Sequence, residues 1–354
     1  MLIDDNIIKG RGAQVHIDNP YQKLSYLYSE SEGADVPTDL NTPTKYINEY
    51  PKTIVNKVKS PDIHLEYSLN PYQGCEHGCV YCYARNTHPY WGYNAGLDFE
   101  KIIMVKRNAP KLLEQFINRK SWKGIPIALS GNTDCYQPIE RKLEITRKLL
   151  KVFLAHKHPV TIITKNSLIL RDMDILEELN KDNLIQVAVS ITTLDEKLRR
   201  KLEPRTASGI NRLKVVQELS DKNIPVHVMV APIIPGLNHY EIPVILKESA
   251  ERGAKSAGYT MVRLNGQVGE IFSDWITKNY PDKAEKVLSQ IKQMHGGKLN
   301  DSEFGKRMTG GGPVATSITN MFDVYRNKFF KKATNTALNQ SVFRKIKDNQ
   351  LNLF

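Results

Sequence analysis

Cysteine is scarce in this chain. Of 354 residues only four are cysteine, and three of those fall between positions 75 and 82. So few thiols rule out a disulfide-stapled scaffold, and three crowded together point to metal or redox work. Long apolar runs are missing too. No stretch reaches the ~18–20 residues needed to span a bilayer, so no membrane association is expected. The start, MLIDDNIIKGRG, lacks a basic flank followed by an apolar stretch. No secretory signal is therefore expected, and the cytoplasm is the default location. There is no internal repeat of roughly 20–50 residues, and no arginine-rich tail.

Positive charge is in excess. Lys and Arg number 50 against 38 Asp and Glu, a net +12. The surplus is spread through segments such as LRRKLEPR, KKATN and RKIKD. Such a surface attracts polyanions, so nucleic acid is a possible partner; ordinary solvated helix faces give the same composition. Hydrophobic residues make up 40% of the chain. That supports a packed core in one large α/β domain with extensions, or in two smaller domains.

Residues 1–60 are rich in polar residues, Gly and Pro, and read as a partly irregular N-terminal extension. ESEGADVPTDLNTPT (30–44) reads as a loop or partly disordered arm. From 61 to about 265, short apolar runs alternate with helical patterns. The runs are 64–69, 101–106, 125–130, 159–164, 184–192, 224–232 and 257–264. Several are continuously apolar and β-branched, as in strands buried on both faces. Helical patterns cover 108–119, 139–156, 167–180, 208–222 and 239–252. Asn166-Ser167 and Ser208 are candidate N-caps, and Gly253 is a helix stop. This alternation argues for a parallel sheet or a (β/α) barrel. Residues 266–354 read as a C-terminal helical extension, with helices over 269–279, 281–294 and 313–347.

The cysteines lie in SLNPYQGCEHGCVYCYARNTHPYWGY (68–93), spaced Cys75-x3-Cys79-x2-Cys82. Gly74 and Gly78 let the chain turn tightly around a metal group. Three thiolates suit an iron–sulfur cluster with one iron left open. Zinc is an alternative, with His77 or Cys135 as the fourth ligand. A redox pair at Cys79 and Cys82 is another. The aromatics that follow (Tyr83, His88, Tyr90, Trp91, Tyr93) either wall a site or belong to the core.

Cys-x3-Cys-x-aromatic-Cys after a first strand resembles the signature of the radical S-adenosylmethionine (SAM) superfamily. The phrases NPYQGCEHGCVYCYAR, SGNTDCYQPIE and FGKRMTGGGPVA resemble its uncharacterised bacterial branch related to spore photoproduct lyase, over about residues 61–330. The resemblance implies a partial (β/α)6 TIM-like barrel and a [4Fe–4S] cluster on Cys75, Cys79 and Cys82. It implies cleavage of SAM to a 5′-deoxyadenosyl radical that abstracts hydrogen. Tyr81 would pack near the adenine. Ser130, Gly131, Asn132, Thr133 and Asp134 match the SAM-binding loop, although the usual Gly-Gly-Glu is absent. In that loop Gly131 would allow close backbone approach, and Thr133 or Asp134 would meet the ammonium. Lys165 and Arg205 would meet the carboxylate, and Ser190 or Thr192 the ribose. Pro235 and Gly236, in VAPIIPGLN (230–238), would shape the adenine turn. Cys135 is either a hydrogen donor to a product radical or a buried thiol. A low-potential flavodoxin or ferredoxin would supply electrons. The substrate would be nucleic acid, or else a small molecule or peptide. The competing reading is a zinc-stabilised nucleic-acid-binding protein without catalysis.

Overall fold

The computed structural model describes residues 8–15, 17–21, 43–63, 65–330 and 337–346. Most of the arm expected over 30–44 lies outside them. Among the described residues there are ten strands: β1 (Lys45–Asn48), β2 (Val55–Lys57), β3 (Tyr67–Leu69), β4 (Tyr72–Gln73), β5 (Ile102–Val105), β6 (Ile127–Leu129), β7 (Val160–Thr164), β8 (Ile185–Ser190), β9 (Val226–Ile233) and β10 (Ser256–Met261).

The main sheet runs β10-β9-β8-β7-β6-β3-β2. Only the β2–β3 pairing is antiparallel. The six parallel strands follow one another in chain order, so every crossover steps the same way. Right-handed crossovers then put all the helices on one face. That is the partial (β/α)6 barrel expected from the sequence. The run at 101–106 forms β5, but it pairs with β1 and β4 in a separate small sheet. Sheet membership is decided by tertiary packing, which an apolar run does not encode.

Burial shows which face is covered. Val160, Ile162, Val187, Val189, Val226 and Val228 are buried with helix residues such as Leu150, Phe153, Leu179, Val216 and Leu246. The alternate residues Thr161, Ile163, Gln186, Ala188, His227 and Met229 stay half-buried. The inner face is therefore an open trough rather than a filled core.

Asn166 and Ser208 cap as expected, accepting bonds from the Leu168 and Asn211 amides. The helix expected over 139–156 is interrupted at Glu144, whose φ is 52°. Helices Val268–Asn279 and Pro281–Met294 follow β10. The next helix, Gly312–Phe329, is shorter than the expected 313–347, since residues 337–346 are non-helical. Between the last two helices the chain spans the open side of the sheet. The Leu264 amide donates to Leu299 (3.1 Å) and the Met261 amide to Met308 (2.9 Å). Across the gap, the Gly305 amide donates to Asp62 (2.7 Å) and Arg307 pairs with the same carboxylate.

Candidate active site

Cys75, Cys79 and Cys82 lie on the loop after β3 and β4, with Cys82 at the start of a 3-10 turn, Tyr83–Thr87. The loop is built around its glycines. Gly74 and Gly78 have φ of 80° and 69°, and a Cβ on Gly78 would sit 2.8 Å from Glu100 Oε2. A buried ion pair braces the loop. Arg85 Nη2 bonds Glu100 at 2.5 Å while its Nε donates to the Cys79 carbonyl at 2.9 Å. Burial pushes all three thiols up; at Cys75 the Asp134 carboxylate and the other two sulfurs add to this. Left as free thiols they would stay protonated. A cationic metal group beside them reverses that balance.

The zinc alternative asks four ligands to converge on one point, ~2.0–2.3 Å away. Among the described residues no three His, Cys, Asp or Glu side chains do so. His77 is already engaged: Nδ1 lies 3.4 Å from Asp134 and Nε2 3.0 Å from Asn166. Cys135 packs in the main core, apart from the cysteine loop. Neither candidate fourth ligand is thus free to join the three thiolates in a zinc site, and three thiolates alone suit an iron–sulfur cluster with one iron left open.

Two carboxylates organise the strand ends. Asp134 accepts from the Thr164 hydroxyl (2.9 Å), the Lys165 amide (2.8 Å) and the Tyr136 amide (2.9 Å), tying the loop after β6 to the end of β7. Glu203 is fully buried. It meets Arg212 at 2.5 Å, Lys165 Nζ at 3.1 Å and the Thr192 hydroxyl at 2.7 Å, and accepts from the Tyr81 hydroxyl. Burial opposes its charge, but Arg212, Lys165 and Tyr81 outweigh this and hold its carboxyl well below the usual range.

Tyr81, Lys165 and Thr192 are thus brought together; the Lys165 ammonium lies 5.6 Å from the Tyr81 ring centroid. Ser190 ends β8, and its carbonyl accepts from Arg212 at 3.0 Å. Ser130 adopts φ 71° and accepts from the Cys135 amide at 2.7 Å, closing the loop on itself. The Gly131 carbonyl accepts from Tyr83, and a Cβ there would meet Ser68 at 2.8 Å. The Asn132 and Thr133 amides both donate to Asn70 (2.8 and 3.2 Å), and the Thr133 hydroxyl donates to the Tyr72 carbonyl (2.7 Å). Buried Pro235 and half-buried Gly236 (φ 75°) turn the chain after β9. Arg205 stands elsewhere: its Nε donates to the Gly10 carbonyl (3.0 Å), so it faces the N-terminal segment. Cys135 is 0% exposed. Of the aromatics, His88 is buried, while Tyr83, Tyr90 and Trp91 are exposed.

Sequence reasoning missed Glu203, Arg212 and the Arg85–Glu100 pair. Glu203 sits in LRRKLEPR, which reads as surface charge. It also passed over Arg263, which follows β10 close to Tyr83 and Arg307.

A family model described as the radical SAM superfamily matches residues 69–248. The chain belongs to the radical SAM superfamily. An uncharacterised protein of Mycobacterium tuberculosis is 32% identical over 247 residues, 69% of this chain and 72% of that protein. One from Methanocaldococcus jannaschii is 29% identical, covering 71% and 90%. Among solved structures, spore photoproduct lyase superposes with a TM-score of 0.58 at 19% identity, over 80% of this chain and 79% of that one. At that identity the likeness is one of fold. Another structure of that lyase, complexed with dinucleoside spore photoproduct, gives 0.57, also at 19% identity and over the same 80% and 79%. Membership implies an enzyme that uses SAM, an iron–sulfur cluster and a reductant. No helix among the described residues is long and apolar enough to cross a membrane.

Proposed function

We propose that this radical SAM enzyme holds a [4Fe–4S] cluster on Cys75, Cys79 and Cys82 and acts on a substrate lying in the trough. The carrying observation is the set of three thiols on the loop after β3 and β4, Cys75 and Cys79 buried and Cys82 half-buried, beside a lysine that keeps some exposure. Three thiolates leave one of four irons for SAM. When bound, cluster and SAM supply a 5′-deoxyadenosyl radical that removes hydrogen from the substrate.

The chain's own work is placement and exclusion of water. Lys165 is 17% exposed, and its charge acts on both Cys79 and Cys82, which suits the carboxylate of SAM. Glu203 and Thr192 fix its ammonium, and Tyr81 beneath it offers a flat face to an adenine. Ser190 stands by for the ribose. Arg205, turned to the N-terminal segment, and Cys135, without exposed surface, have no place in this arrangement.

For the substrate we favour a nucleotide-bearing molecule. Arg263 puts a cation near the exposed Tyr83, and a lyase of this fold takes a dinucleoside photoproduct. Flavodoxin or ferredoxin is the proposed reductant.

The test is anaerobic reconstitution followed by reduction with dithionite. The wild type should carry about four irons per chain and release 5′-deoxyadenosine from SAM, and Cys79→Ala should do neither. Colourless protein with one zinc per chain would overturn the reading. Oligonucleotide affinity that falls steeply with salt supports the substrate class; affinity indifferent to salt removes it.

A further inference from the structure

The N-terminal segment packs against the cysteine loop. A Cβ on Gly12 would sit 1.7 Å from the Gly78 carbonyl. The Gly12 and Ala13 amides donate to the Glu100 carboxylate at 3.0 and 2.8 Å. Between this segment, β1 and Arg205 lies an open cavity of about 400 Å³, lined by Lys9, Arg11, Thr44, Tyr46, Glu76 and Arg205.

Its charge is unbalanced. Three cations face one carboxylate: Glu76 pairs with Arg205 at 3.6 Å and also takes the Tyr46 hydroxyl (3.0 Å) and the Ile139 amide (2.9 Å), which leaves Lys9 and Arg11 in excess in the lining. Arg11 is 7% exposed, and its guanidinium is fixed by the Glu100 carbonyl (2.8 Å) and Thr44 (3.1 Å). Its charge is disfavoured by burial and by Arg205 nearby. The rim continues onto β1, which is exposed along its whole length and presents Lys45, Tyr46 and Ile47.

The cavity borders the cysteine loop. Glu76 follows Cys75 in the chain, and the Arg205 amide donates to the His77 carbonyl at 3.2 Å. The trough side is taken by SAM and substrate in the reading above. Electron tunnelling falls off exponentially with distance, so a reductant must touch the surface closest to the cysteines that the substrate leaves free.

We propose that this basic cavity and the adjoining β1 edge are the docking face for the one-electron donor, a small acidic carrier protein. This rests on the radical SAM reading. A carrier of opposite sign is drawn by a chain of net +12, and rim cations raise its encounter rate and make it sensitive to salt. Exposed Tyr46 and Ile47 supply the apolar contact that such a charged rim surrounds. The transfer moves one electron from carrier to cluster, with no covalent bond formed or broken.

The experiment compares the wild type with the double variant Lys9→Glu, Lys45→Glu, both cluster-loaded, using an acidic flavodoxin as probe. Calorimetric titration at low salt reads the affinity, and stopped-flow oxidation of reduced flavodoxin reads the transfer. Dithionite, which needs no docking face, is the control. The double variant should bind and be reduced by flavodoxin about tenfold more slowly or weakly, with a flatter salt dependence. Dithionite-driven 5′-deoxyadenosine formation should stay within about twofold. Unchanged flavodoxin affinity, or an equal loss with dithionite, overturns the proposal. So does a variant that keeps flavodoxin binding but loses affinity for inorganic phosphate or an oligonucleotide, which would mark a small-anion or nucleic-acid site. A wild type that makes no 5′-deoxyadenosine with dithionite sinks the radical SAM reading itself.

Discussion

Lys165 Nζ stands 3.1 Å from the Glu203 carboxylate, joining the end of β7 to the turn that follows helix Glu196–Leu202. Glu203 also carries Arg212, which is 1% exposed. The carboxylate therefore neutralises two cations, one of them without access to water. Its removal strands a buried guanidinium, which is far costlier than losing a surface pair.

Glu203→Gln should accordingly cost about 3–5 kcal/mol of stability, the range for breaking one partner of a buried pair. Denaturant unfolding measures it. Lys165→Met should cost less, because Glu203 keeps Arg212 at 2.5 Å. Its larger effect should be on SAM affinity. If Lys165→Met unfolds the protein as readily as Glu203→Gln, the lysine is structural and its proposed contact with SAM loses support.

A pH effect follows from His158. Trp122 Nε1 donates to its Nε2 at 3.0 Å, and its Nδ1 lies 2.9 Å from the Pro159 carbonyl. These contacts fix a neutral ring, and burial lowers its pKa from 6.5 to about 4. Between those values the unfolded chain binds a proton that the folded chain refuses. Stability should therefore fall as pH drops from 6.5 towards 4 and level off below, by on the order of 3 kcal/mol. His158→Gln should flatten that part of the curve of stability against pH. His88, also lowered to about 4 by burial, leaves a residual slope.

The barrel was legible because its strands carry a wholly buried face. Val160, Ile162 and Thr164 alternate with half-buried Thr161 and Ile163, so PVTIIT reads as apolar and β-branched. The cysteine loop was legible because chemistry and turn geometry coincide within residues 74–82. The carboxylates were not. Glu203 is one acid in a basic segment, and only the fold turns it onto Arg212, nine positions later in an ordinary amphipathic helix. Cys135 shows the converse. Asp134 aims at Thr164 and Lys165, so the next side chain points the opposite way, into the core beside Thr146, whose hydroxyl donates to the Cys135 carbonyl at 2.6 Å.

That orientation gives Cys135 a simple expected behaviour. Cys135→Ala should lose about 1 kcal/mol, typical of a small core truncation. It should keep its iron and its 5′-deoxyadenosine formation, unlike Cys79→Ala. Iron analysis and thermal unfolding together separate the two. If Cys135→Ala instead keeps its stability but, once the substrate is known, stalls at a product radical, the thiol is a hydrogen donor after all.

The segment between the last two helices makes the trough a bounded space. Met308 holds it to the end of β10 and Leu299 to Leu264 just beyond, while Asp62, on the chain between β2 and β3, takes the Gly305 amide and Arg307. Arg307 also donates to Ser60 at 2.5 Å. One carboxylate thus secures the far end of a strap across the open edge of the sheet. Asp62→Ala should release that end while leaving the cysteine loop intact. Trypsin should then cut after Lys306 and Arg307 several-fold faster, because cleavage tracks the population of the opened segment. Iron content should be unchanged. SAM cleavage uncoupled from substrate should rise, since a trough open at its side admits water to the reacting centre. Unaltered proteolysis would mean that the Leu299 and Met308 bonds hold the strap without help from Asp62.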